Sequence, residues 1–557
     1  MKRRRRAWPR LGFAVPLVAG VLLGAGGSAS AGTVGASAGD RGPAAGPIMP
    51  VTFCASLTQI NFTRVPDAPG KVTSAAVVTD TLGTKTVAFC DVKGVFAPQT
   101  QFEIKLPVAT WHGQYVQEGC EALCGSLQQL SDYPDGGLTC PAVGNGELAL
   151  ATDDEGHTSS SLTDGSWAKD RLALRVVFGL TSEHSLAQMA RAVITAYYGR
   201  PASFRYYDGC STGGREALML AQRYPGDFNG IIAGAPAGNL APLALLNAWL
   251  VTRNTGPGGH QILPAEKLPA LHAAVIGACG NAHGIITDPR HCGFNPATLR
   301  CPPGQDTDAC LTPSQVRAVR AFYRGPTDQK GRSLYNGGQP YGSELYWIGN
   351  FVQPAADPAA PADTFDAAMA LNYLKYMAFW PNPPDSFTLA DVKFTDTEFR
   401  KLNLLGDAIY NANNPHLHAF AAHGGKLILY HGWADQAIPP WSTLDYYAAA
   451  ERASGGFRPS QAFSRLYMIP GAYHCLYEPN LAAPSLPKSI NLADFLTPLI
   501  SWVQHGTAPG TIKADTLAFP GDPITLYQKV RPYDALAPVT PAPGSLNGHY
   551  HYLGTYK

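Results

Sequence analysis

Four stretches early in the chain, residues 86–89, 101–106, 114–117 and 147–151, are rich in aliphatic, aromatic and β-branched side chains. The second of them alternates polar and apolar positions strictly. That period of two is the mark of strands with one face on a core. The period then changes: Leu186, Met189, Ala190, Val193, Ile194 and Tyr197 recur at helical spacing, which predicts a helix over 183–198 that Gly199 ends. Short apolar runs at 204–207 and 230–234 read as buried strands, with a helix over 214–224 between them. The buried-strand pattern returns only at 426–430 and 465–469, and an amphipathic stripe follows at 491–504. Strands alternating with helices predict an α/β fold, a mostly parallel sheet flanked by helices on both faces.

The gap between these two groups of strands is rich in Pro and Gly, with local Cys pairs and scattered aromatic segments such as 371–380, and it reads as an inserted domain. The chain therefore divides into a catalytic part at 32–237, an insertion at 238–424 and a second catalytic part at 425–557. Residues 1–31 read as an export signal. Lys2 and the arginines Arg3 to Arg6 precede an apolar stretch at 11–25, and Ala29-Ser30-Ala31 is a small-residue cleavage site. No later run is apolar enough to cross a bilayer, so no membrane association is expected after cleavage, and a secreted protein is the expectation.

Composition adds little about partners: 45% hydrophobic and 15% charged residues with a formal net charge of +1 give no reason to invoke nucleic acid or an anionic surface. The 11 cysteines are more informative, because an exported chain can hold a disulfide framework and an odd count leaves one thiol over. Local spacing pairs Cys54 with Cys90, Cys279 with Cys292 and Cys301 with Cys310. Cys120, Cys124 and Cys140 cannot all pair among themselves. Zinc is not expected, since neither a pair of CxxC units nor HExxH occurs. His416, His418, His549 and His551 lack acidic partners nearby in sequence and read as solvated loop residues.

The strongest chemical signal is Gly209-Cys210-Ser211-Thr212-Gly213, a G-x-S-x-G between a predicted strand and a predicted helix. In that context the glycines permit a strained turn that lifts the serine hydroxyl above the sheet, and the helix N-terminus behind it favours developing negative charge. A serine hydroxyl needs a base, and the base needs a group to orient it. Asp435 lies just beyond the predicted strand 426–430, and His474 just beyond 465–469. The order Ser211, Asp435, His474 is that of the α/β-hydrolase fold. Cys210 precedes the candidate nucleophile and Cys475 follows the candidate base, so if Ser211 and His474 meet, these two cysteines are near enough to bridge.

With these residues in view the chain resembles the tannase and feruloyl esterase family, which includes hydrolases of mono(hydroxyethyl) terephthalate. The likeness spans nearly all of the expected mature chain. It rests on Trp111-His112-Gly113-Gln114-Tyr115, on Ala151-Thr152-Asp153 leading to Gly156-His157, and on Tyr207-Asp208 running through the elbow to Gly214-Arg215. It continues through Ala221-Gln222-Arg223-Tyr224-Pro225, Ala233-Gly234-Ala235-Pro236-Ala237, Tyr430-His431-Gly432-Trp433-Ala434-Asp435 and His474-Cys475. The resemblance implies a serine carboxylic ester hydrolase acting on small esters of gallic or hydroxycinnamic acids, with the insertion as a lid. It also implies the disulfide between Cys210 and Cys475. The Thr212 amide is the expected oxyanion donor, with a second near Gly119 or Cys120. Lid aromatics Trp347, Tyr376, Phe379 and Trp380, with Trp433, are the candidate substrate contacts. The family's calcium segment is shortened here to 279–289 and keeps few carboxylates, so neither a metal nor any other cofactor is expected. A terephthalate-monoester hydrolase of the same family, a secreted peptidase using the same triad, and a catalytically silent binding protein are the alternatives. Oligomeric state is not readable from the sequence.

Overall fold

The computed structural model describes residues 46–82, 85–127, 140–354, 363–476, 490–517 and 524–556. The expected export signal at 1–31 lies outside them. Nine strands form the main sheet: β1 Gly70–Leu82, β2 Lys85–Phe96, β3 Thr100–Pro107, β4 Gln114–Glu118, β5 Leu148–Asp153, β6 Phe204–Cys210, β7 Gly230–Gly234, β8 Lys426–Gly432 and β9 Ser464–Ile469. Their order is β1-β2-β3-β5-β4-β6-β7-β8-β9. The first three pairings are antiparallel and the five from β5 to β9 are parallel.

The two halves differ because their surroundings differ. In β3 buried and less buried positions alternate for most of its length, as in a strand with one face toward solvent. β7 and β9 are buried at every position because helices cover both faces, and this is why their sequences read as short unbroken apolar runs. Ser182–Tyr198 and Thr212–Arg223 lie on one side, in a core with Trp111, Tyr207 and Leu429. Leu496–His505 packs on the other, with Ile232, Ile428 and Tyr467. The predicted stripe at 491–504 splits: Ile490–Leu492 is a short strand and the helix begins at Leu496. Between β7 and β8 the chain builds its own core from Leu240–Asn254, Pro313–Arg324 and Phe365–Asn372, around Trp347, Phe351 and Tyr373.

Glu451, on the helix Trp441–Ala453, is fully buried, and neither carboxylate oxygen makes a hydrogen bond of normal geometry. Burial, then the charge of Asp534, pushes its carboxyl up to about 7. Between the ordinary glutamate value of about 4.3 and that raised value, the folded state holds the extra proton. Stability is therefore lost as pH rises through that window, by on the order of 3 kcal/mol. Glu451→Gln is expected to be more stable than wild type at pH 8 but not at pH 4. Urea unfolding at both values checks this, and an equal difference at the two would refute it.

Candidate active site

The site is built at the C-terminal ends of β6, β8 and β9. Ser211 sits between β6 and the helix Thr212–Arg223 with φ 61° and ψ −117°, a conformation non-glycine residues rarely adopt and one that concentrates at functional turns. The turn closes because its neighbours lack side chains: a Cβ on Gly209 would lie 2.6 Å from the Gly213 carbonyl carbon, and one on Gly214 only 2.3 Å from Gly234 O. The Ser211 amide donates to Gly234 O at 3.0 Å, and its carbonyl accepts from the Ala237 amide at 2.9 Å. The backbone is thus held on both sides, while the side chain makes no capping hydrogen bond to the helix it precedes.

Asp435 lies in the turn after β8 and is fully buried. Its Oδ1 accepts from the Ala437 and Ile438 amides at 3.0 and 2.8 Å. Its Oδ2 faces two imidazoles, His474 Nδ1 at 2.9 Å and His431 Nε2 at 3.2 Å. Burial alone would raise this carboxyl; the charge of His474 and the hydrogen bonds from His431 and His474 outweigh it and hold the group well below the usual carboxylate range. His431 was not among the candidate residues. Its Nε2 also lies 2.7 Å from Ile438 O and its Nδ1 lies 2.9 Å from Thr443 Oγ1. Since a carbonyl and a carboxylate can only accept, Nε2 carries the proton and Nδ1 accepts from the threonine.

Cys210 and Cys475 form a pair with a Cα–Cα distance of 5.8 Å, so the residues flanking Ser211 and His474 are joined covalently across 265 positions of sequence. The pairs Cys54–Cys90, Cys279–Cys292 and Cys301–Cys310 are present as expected. Cys120 pairs with Cys124, which leaves Cys140 as a buried thiol.

The loop after β4 corrects the expectation for Gly119. Its amide is spent on Asp208 O at 3.1 Å, and the Cys120 amide is spent on Glu216 Oε2, also at 3.1 Å. The Glu121 and Ala122 amides of this loop have no acceptor among the described residues, and neither does the Thr212 amide at the helix start. Thr212 Oγ1 donates to Ala122 O at 2.6 Å and the Gly213 amide to Cys120 O at 2.8 Å, so loop and elbow are stitched together. Gly119 is needed for closeness instead: a Cβ there would overlap Tyr207 Oη and approach Gly213 Cα to 2.7 Å.

Two aromatic candidates are also corrected. Trp347 is fully buried, its indole N–H donating to Ser343 Oγ at 2.9 Å among Phe322, Tyr323 and Phe351. Trp433 is enclosed by Trp441, Tyr533 and the Arg290 guanidinium. Neither ring has a free face for a substrate. Phe379 and Tyr376 are partly buried against the insertion's core, and Trp380 is 52% exposed with Arg175 over its ring. In the segment 279–289, Asp288 is gripped by Arg290 Nε and Nη2 at 3.0 and 2.7 Å, and Asn281 Oδ1 accepts the amides of His283 and Ile285.

A family model described as tannase and feruloyl esterase matches residues 84–534. The chain is 31% identical over 484 residues to an esterase of Xanthomonas campestris pv. campestris, covering 80% of each. It is 30% identical over 493 residues to the mono(2-hydroxyethyl) terephthalate hydrolase of Piscinibacter sakaiensis, covering 76% of this chain and 78% of that one. Among solved structures, feruloyl esterase B from Aspergillus oryzae superposes with a TM-score of 0.71 at 24% identity, over 86% of this chain and 95% of that one. The tannin acyl hydrolase from Aspergillus niger gives 0.66 at 19%, over 88% and 93%. These neighbours are α/β-hydrolases, and the fold here is theirs.

Proposed function

The chain belongs to the tannase and feruloyl esterase family and is a carboxylic ester hydrolase, and from that premise we propose that it cleaves small esters of aromatic acids through an acyl-enzyme on Ser211. The observation that carries this reading is the buried contact of His474 Nδ1 with Asp435 Oδ2, on the loop that the Cys210–Cys475 pair ties to the elbow. Asp435 holds the Nδ1 proton, which leaves His474 Nε2 unprotonated as the base. Ser211 Oγ attacks the ester carbonyl as Nε2 takes its proton. The Thr212 amide donates to the oxyanion, and the alcohol departs with the proton from Nε2. His474 then takes a proton from water, whose oxygen attacks the acyl carbon and releases the acid.

The residues 238–424 act as the lid, and the protein works outside the cell. Five cysteine pairs suit an oxidising compartment, and among the described residues no helix is long and apolar enough to cross a membrane. The terephthalate hydrolase relative favours a second reading, hydrolysis of a terephthalate monoester. The deciding experiment gives the purified mature protein methyl ferulate, methyl gallate, mono(2-hydroxyethyl) terephthalate and p-nitrophenyl acetate, with Ser211→Ala as blank. Selective turnover of one aromatic ester supports the proposal and names the acid. Turnover of the activated acetate alone removes the substrate class, and no Ser211-dependent turnover of any of them removes the acyl-enzyme and leaves a silent binding protein.

A further inference from the structure

Beside the helix that follows Ser211, four acidic side chains from three separate parts of the chain are buried together. Asp153 ends β5, Glu155 follows two residues later, Glu183 opens the helix Ser182–Tyr198, and Glu216 lies on Thr212–Arg223. Carboxylate oxygens of Asp153, Glu155 and Glu183 all lie within 4.8 Å of one another. The first and third of these are oriented by donors. Asp153 Oδ1 accepts the Glu155 amide at 2.9 Å and its Oδ2 the Ser182 hydroxyl at 2.8 Å, while Glu183 Oε2 accepts Gln117 Nε2. Glu155 differs: it is 1% exposed, no N–H or O–H group outside the cluster donates to its oxygens, and its carboxyl lies against those of Glu183 and Glu216. It lines a small cavity, shared with Ser182, Glu183, Arg215 and Glu216, with room for a single water-sized sphere.

A buried carboxylate without a donor is costly unless something positive or a proton meets it. Arg215 makes no hydrogen bond to Glu155: its Nη1 and Nη2 donate to Gly179 O and Phe178 O at 3.1 Å each, its Nε has no acceptor, and its carboxylate contact is with Glu216 at 3.4 Å. We propose that Asp153, Glu155 and Glu183 bind one hard divalent cation, with Ca²⁺ preferred over Mg²⁺. Donors fix the outer lone pairs of Asp153 and Glu183, the arrangement by which second-layer hydrogen bonds orient metal ligands, and Glu155 supplies the free oxygens. The cavity leaves space for about one water, and Mg²⁺ keeps several, whereas Ca²⁺ accepts crowded, irregular carboxylate sets. The site adjoins the catalytic framework, because Glu216 Oε2 also receives the Cys120 amide and the Tyr207 hydroxyl at 2.9 Å. The cation would therefore brace the loop that faces the elbow.

The test is metal content and thermal melting of the intact mature protein, not turnover. Protein purified without chelator and dialysed against metal-free buffer is expected to retain about one Ca²⁺ per chain by mass spectrometry of the ions. EDTA treatment is expected to lower the melting temperature by several degrees, and added CaCl₂ to restore it where equal MgCl₂ does not. Glu155→Gln and Glu183→Gln should each weaken calorimetric Ca²⁺ binding by about tenfold or more, while Asp288→Asn, in the segment 279–289, should leave it unchanged. If one glutamate variant does not fold, the other carries the test. No retained calcium with no chelator effect would mean that the carboxyls share protons instead, and the proposal falls. It falls equally if binding survives both glutamate variants, or if Asp288→Asn abolishes it.

Discussion

Ser211→Ala is expected to fold with wild-type stability and to lose about 10⁴-fold or more in kcat on any ester the protein turns over. The activity loss follows from chemistry: without Oγ there is no acyl-enzyme, and what remains is the acceleration that binding and the oxyanion amides provide on their own. The stability expectation follows from geometry. The backbone at Ser211 is held by Gly234 O and by the Ala237 amide, neither of which involves the side chain, and the hydroxyl caps nothing. Alanine meets the same positive φ as serine, so the strain is unchanged and the difference should stay within about 0.5 kcal/mol. Equal thermal melting curves with kcat about 10⁴-fold or more below wild type is the expected pair of results. Turnover within tenfold of wild type would move the nucleophile elsewhere, and a large fall in melting temperature would leave the loss of turnover unexplained by chemistry.

The parts of this site that could be read from the sequence are those written locally. The elbow announces itself because a strand, a strained serine and a helix must follow one another within a few residues, and the glycines that permit the strain are adjacent to it. Asp435 and His474 were legible because each follows a short apolar run, and such runs are what strands buried on both faces look like. β1 was not legible: it is 13 residues long but mostly exposed, so its apolar residues follow no period, and it is held by pairing with β2 from Gly70↔Phe96 to Leu82↔Lys85. Gly119 was read as an oxyanion donor because it sits at the right loop, yet an amide's availability depends on which carbonyl faces it, and Asp208 O does. The acidic cluster gave no signal at all. Its carboxyl groups come from residues 153 to 216 without fixed spacing, and only the packing of two helices on β5 brings them together.

Asp435→Asn is expected to cost about 10⁴-fold in kcat while keeping the fold, and the reason lies in which of its oxygens are spoken for. The Ala437 and Ile438 amides both donate to Oδ1, so an asparagine keeps its carbonyl oxygen there and turns its NH₂ toward His474 and His431. His431 can keep its Nε2 proton on Ile438 O at 2.7 Å. His474 meets this residue directly at Nδ1, at 2.9 Å in the wild type: facing a donor there, its Nδ1 must accept, the proton moves to Nε2, and the imidazole can no longer take one from Ser211. The wild-type pH profile should carry the complementary signature. Because the two imidazoles hold the Asp435 carboxyl well below the usual carboxylate range, it stays ionised wherever the fold survives. The acid limb of kcat/KM should then report a single ionisation, that of His474. A limb that falls with the slope of two protons would show that Asp435 titrates with it, and an Asp435→Asn enzyme within tenfold of wild type would show that the tautomer is set by something else.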